Sequence, residues 1–100
     1  MTTHHDDAPI NDWLTGRLPD DWFESFTLIS DREELTILGT LTQPESDSQE
    51  SRSGRIRRFR EETRPARITL AQELERRTGR KVTWGAKCGD TTKIFTRLTV

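Results

Sequence analysis

A chain of 100 residues and 11.6 kDa has room for one domain and one core, and buries roughly two thirds of the surface that its unfolded form exposes. Leu, Ile, Val and Phe make up 21 of the 100 residues at a net charge of −1, and with three tryptophans this falls just on the folded side of the boundary with disorder, at about 20%. No uninterrupted apolar run exceeds two residues. That excludes a membrane span of about 20 and the roughly 7–15 apolar residues of a signal peptide, so a soluble, cytoplasmic chain with no membrane contact is expected.

Residues 1–11, MTTHHDDAPIN, are polar and aperiodic and are expected to form a loose arm ahead of a single domain over 12–100. His4 and His5 lie on that arm with no spaced third ligand, so neither a metal nor another cofactor is expected. In DWLTGRLPDDWFE, residues 12–24, Pro19 followed by Asp20, Asp21 and Glu24 reads as the first turn of a short helix. Trp13 and Trp22 either cover one edge of a small core or form a platform for a protein partner.

Phe26 and Leu28 alternate with Thr27 and Ile29; Asp31, Arg32 and Glu33 interrupt; Leu35 and Ile37 alternate with Thr36. Two period-2 segments about a charged turn predict a β-hairpin. Residues 43–53, QPESDSQESRS, carry no large apolar side chain and read as a polar loop without fixed conformation.

From Gly54 the period becomes helical, with Ile56 and Phe59 three apart and Ser53 as the expected cap. Pro65 predicts a break near 62–64. A second helix then keeps Ile68, Ala71, Leu74 and Thr78 on one face and ends at Gly79 in the left-handed conformation. KVTWGAK, 81–87, is a third strand, and 91–100 is read as a short helix capped by Asp90, although its β-branched content also suits a strand. The expectation is thus an α+β domain, about three strands under helices on one face, in the order α-β-β-α-α-β.

The stretch from Gly54 to Val82, with Gly54-Arg55-Ile56 at its opening and Gly79-Arg80-Lys81-Val82 at its close, resembles type II KH domains, in particular small bacterial single-KH RNA-binding proteins. That resemblance implies the fold above and RNA as ligand. The family's GxxG loop is absent: the aligned residues read Arg58-Phe59-Arg60-Glu61. A backbone clamp on phosphates is therefore missing, and any contact falls to arginine side chains. DWLTGRLPDDWF and WGAKCGD also resemble stretches of short actinobacterial proteins that carry no assigned function.

Charge separates along the chain, with a net −10 over residues 1–50 and +9 over 51–100. Arg55, Arg57, Arg58, Arg60, Arg64 and Arg67 crowd the two central helices, and guanidinium forks suit phosphate oxygens. These six are the candidate nucleic-acid-binding residues, for RNA or single-stranded nucleic acid. Two other readings stand beside this one: the acidic half neutralises the basic half across the surface, or the module is a protein-interaction adaptor. No enzyme is expected, because no His lies in the core segments to pair with a Ser or Cys, and no phosphate-binding glycine loop or spaced carboxylate motif is present. The single cysteine, Cys88, reads as structural.

Overall fold

The computed structural model describes residues 7–95. Helix α1 (Asp7–Arg17) is followed by strands β1 (Ser25–Ser30) and β2 (Glu34–Thr40), a long helix α2 (Gln49–Thr78), and strands β3 (Lys81–Cys88) and β4 (Thr91–Phe95). The sheet order is β1-β2-β3-β4: two antiparallel hairpins joined through the parallel pair β2/β3, with α2 as the crossover between them. Parallel neighbours need such a crossover, and a helix supplies it.

The expected hairpin forms, with Leu28 opposite Ile37. Its turn is held by Asp31, whose Oδ1 accepts from the amides of Glu33 and Glu34, both at 2.9 Å; these bonds hold its carboxyl below the usual range. Strand alternation puts Leu35, Ile37 and Leu41 beside Val82, Trp84, Ala86 and Cys88 on one face, under α2. Leu14, Leu18 and Trp22 close the core from the α1 side. Trp22 meets Phe23, Phe59 and Trp84 edge-on at 5.6–6.1 Å between ring centroids. Phe23 lies so close to Gly39 that a methyl group there would overlap its ring.

Several expectations are corrected. Among the described residues there are four strands and the order is α-β-β-α-β-β, in place of the KH-like three strands and three helices. The first helix starts at Asp7, inside the stretch read as a loose arm, because Ile10, Trp13 and Leu14 share a face that packs on the core. It ends at Arg17, so Pro19 belongs to a turn and does not open a helix. Residues 91–95 form a strand, with Phe95 opposite Trp84; residues 96–100 and His4 and His5 lie outside the described part. Once a partner strand is present, Thr91 and Phe95 bury on the core face, and β-branched content prevails over the cap at Asp90.

The largest correction concerns α2, one helix of 30 residues where two were expected. It begins at Gln49, within the polar loop, because Ser48 caps it by accepting from the Ser51 amide at 3.0 Å. It ends where foreseen, at Gly79 with φ of 71°. Pro65 does not break it. Proline removes a donor to the carbonyl four residues back, here that of Glu61, and both residues lie on the exposed side of the helix, where the lost bond costs least because the group is open to solvent. On the buried side Thr63 donates to the Phe59 carbonyl at 2.6 Å, and Arg67 donates to the Thr63 hydroxyl at 2.9 Å and to the Arg60 carbonyl at 2.6 Å. The core stripe runs Phe59, Thr63, Arg67, Leu70, Leu74, which turns Ile68 outward to 39% exposure.

Candidate nucleic-acid interface

Steps of three and four residues place Arg57, Arg60 and Arg64 on one flank of the buried stripe of α2, and Arg55 and Arg58 on the other. The first flank faces β4 across a groove of about 580 Å³ lined by these three arginines, Lys93, Glu61 and an apolar base that includes Ile56 and Phe95. Lys93 stands on the opposite wall because β4 alternates: Thr91, Lys93 and Phe95 share the helix-facing side, and β4 is an edge strand that leaves Lys93 open to solvent. Among the described residues, four cations thus line the groove against one carboxylate.

The six predicted arginines do not form one ridge. Arg57 donates to Glu61 at 3.2 Å, with both side chains largely exposed. Arg60 lies over the Phe95 ring, its Cζ 5.1 Å from the centroid, and Arg64 is exposed at the groove's far end. Arg58 and Arg55 border a smaller recess with Thr42, Gln43 and Pro44; Arg55 is half-buried and tied to Thr42, donating to its carbonyl at 3.1 Å and its hydroxyl at 3.2 Å. Arg67 is corrected outright: it is 7% exposed and belongs to the core. Its Cζ lies 5.2 Å from the Phe95 centroid and 6.0 Å from that of Phe59, and no carboxylate among the described residues pairs with it. Burial first, then the charges of Arg60 and Arg64, push its pKa down to about 10.

The acidic half does not neutralise this groove. Among the described residues, Asp47 pairs with Arg52 at 3.0 Å, and Glu73 of α2 pairs with Arg17 of α1 at 3.1 Å. The latter contact raises the Arg17 pKa and lowers that of Glu73. Among the described residues, neither of the pairs that join the two halves involves Arg57, Arg58, Arg60 or Arg64. Asp20, Asp21 and Glu24 precede β1, at the edge of the sheet opposite β4.

Other candidates fall on the core side. Trp22 is buried and offers no docking surface; Trp13 is half-buried under Arg77, 5.2 Å from its Cζ. Trp84 and Phe95 are buried, so neither lends a free face for base stacking. Cys88 is fully buried, which removes the thiol from solution chemistry. Among the described residues no three His, Cys, Asp or Glu side chains are grouped to hold a metal, and no helix is long and apolar enough to cross a membrane. Sequence reasoning missed Lys93. Reading 91–95 as a strand would have found it, since it shares parity with Phe95.

Comparison with known proteins gives a family without an assigned activity. The family described as Rv1265-like protein, N-terminal domain, matches residues 8–94, and the match is not to KH domains. Uncharacterised protein Rv1265 of Mycobacterium tuberculosis (strain H37Rv) is 48% identical over 93 residues, 89% of this chain and 41% of its own length. Uncharacterised protein Mb1296 of Mycobacterium bovis gives the same values. The chain therefore spans about two fifths of the length of the curated relatives it matches. No solved structure matches the chain.

Proposed function

The chain belongs to the Rv1265-like N-terminal domain family, and from that footing we propose that it is a non-enzymatic module that binds the phosphate backbone of RNA in the groove between α2 and β4. The observation that carries this reading is the set of four cations, Arg57, Arg60, Arg64 and Lys93, on two facing walls with a single carboxylate among them. Guanidinium and ammonium groups that outnumber their counter-charges concentrate a positive field, and a polyanion relieves their mutual repulsion. Arg60 and Arg64 supply planar forks for phosphate oxygens, and Lys93 supplies a mobile point charge from the far wall. With the aromatic rings of the core covered, contact is to the backbone and independent of base identity. Arg67 and Arg55 are structural in this reading, and Arg58 adds charge from the other flank.

Fluorescence anisotropy with a labelled mixed-sequence RNA tests it. Four phosphate contacts on a single strand give a salt slope of about −2.8, so affinity falls about 50-fold between about 50 and 200 mM salt. The R60A/R64A/K93A variant folds and loses most of the binding, whereas R55A retains it. Absence of binding at low salt, or equal binding by the triple variant, overturns the reading.

A further inference from the structure

Among the described residues Glu61 is the one acid that lines the groove, and its Oε2 sits 3.2 Å from the Arg57 Nε. Neither side chain is fixed by burial: 80% of the Arg57 and 65% of the Glu61 side chain is exposed. An exposed pair of this kind is weak and exchanges readily with water or another anion. Glu62, the next residue, is equally exposed but lies on the other flank, outside the groove. We propose that Glu61 is a built-in competitor of the ligand: it occupies the Arg57 guanidinium until a phosphate takes its place, and thereby sets the threshold of affinity at this groove. The inference rests on the phosphate-binding reading above and adds the regulation of that site.

Two consequences follow from the geometry. A phosphate that reaches Arg57 must displace the Glu61 carboxylate and then endure its charge a few ångströms away, so removing that charge tightens binding. In addition, Arg57 contributes less while Glu61 holds it than when Glu61 is gone, so the two residues are coupled, not additive.

The test measures labelled RNA against the parent, E61Q, E62Q, R57A and the double variant R57A/E61Q. E61Q is expected to bind about two- to fivefold tighter at low salt, an advantage that fades as salt screens the charge. E62Q removes the same net charge outside the groove and leaves affinity unchanged. R57A costs more in the E61Q background than in the parent. The unfolding midpoint of E61Q matches the parent, which separates a binding effect from a folding one. If E61Q binds as the parent does, or E62Q tightens binding equally, the inference is overturned while the binding module stands. If neither the parent nor E61Q binds RNA at low salt, both fall.

Discussion

Replacing Arg67 by methionine removes a buried guanidinium while keeping an unbranched stem against Phe59 and Phe95. Depression of the Arg67 pKa from the ordinary arginine range to about 10 corresponds to at most about 3 kcal/mol against the charged form at neutral pH, an upper bound because solvent still reaches part of the side chain. Opposing it are the bonds to the Thr63 hydroxyl and the Arg60 carbonyl, each of about 1.5–3 kcal/mol for a charged donor. At the lower end of that range the two bonds together, about 3 kcal/mol, match the cost, and replacing a buried charge by an apolar side chain of similar length is often neutral, so R67M is expected within about 1 kcal/mol of the parent. R67A loses the stem as well and costs about 2–4 kcal/mol. The pH dependence has a definite sign. Between the folded pKa of about 10 and the higher value of a free arginine, the unfolded chain holds the proton that the folded chain has released, so stability rises with pH in that window. Below it both states are protonated and the cost of the buried charge is fully present. Urea unfolding followed by tryptophan fluorescence should therefore show the parent gaining about 1 kcal/mol on R67M between about pH 9 and pH 11. Other groups titrate in both proteins and cancel. A loss of more than about 2 kcal/mol in R67M at neutral pH would show that the hydrogen bonds outweigh the buried charge, and an unchanged gap at alkaline pH would refute the assignment of that charge to the core.

Trp22→Ala should cost about 3–5 kcal/mol in urea unfolding, because the ring joins Phe59 and Trp84 at the centre of the core; a folded variant of unchanged stability would return Trp22 to the surface. Gly39→Ala should expel the Phe23 ring and weaken near-ultraviolet dichroism, with retained ring signals counting against the contact. Ser48→Ala should cost about 1 kcal/mol by leaving the Ser51 amide unserved, whereas Ser53→Ala, in the second turn of the helix, should be neutral. Asp31 is held below the ordinary carboxylate range by two amides, so its contribution is present above pH 3.8 and lost as pH falls through the lower folded value; Asp31→Asn keeps an acceptor oxygen and should abolish that acid dependence in a pH-melt series.

Local signals proved reliable where neighbours in sequence are also neighbours in space. The β1–β2 turn needs only Asp31 and the amides two and three residues on, and the close of α2 needs only a residue that tolerates positive φ at Gly79. Both were legible. The Pro65 break was not, because the rule concerns an isolated helix, and here Thr63 and Arg67 bond to carbonyls of the preceding turns while the core grips the helix on either side of the proline. Strand β4 escaped for a related reason: without β3 beside it, TTKIF carries helix and strand signals of similar strength.

Amino-acid order alone pointed to an α+β fold and showed that the arginines crowd the second half and the acids the first, since composition and periodicity are properties of the chain itself. Which arginines face solvent was decided by packing. The phase of a 30-residue helix on its sheet is fixed by the summed burial of Ile56, Phe59, Leu70 and Leu74, and that phase carries Arg67 inward and sets Arg57, Arg60 and Arg64 across from Lys93. A lysine 29 residues beyond Arg64 meets it only because β4 returns antiparallel along β3 to the edge beside the helix, a pairing that no local pattern encodes.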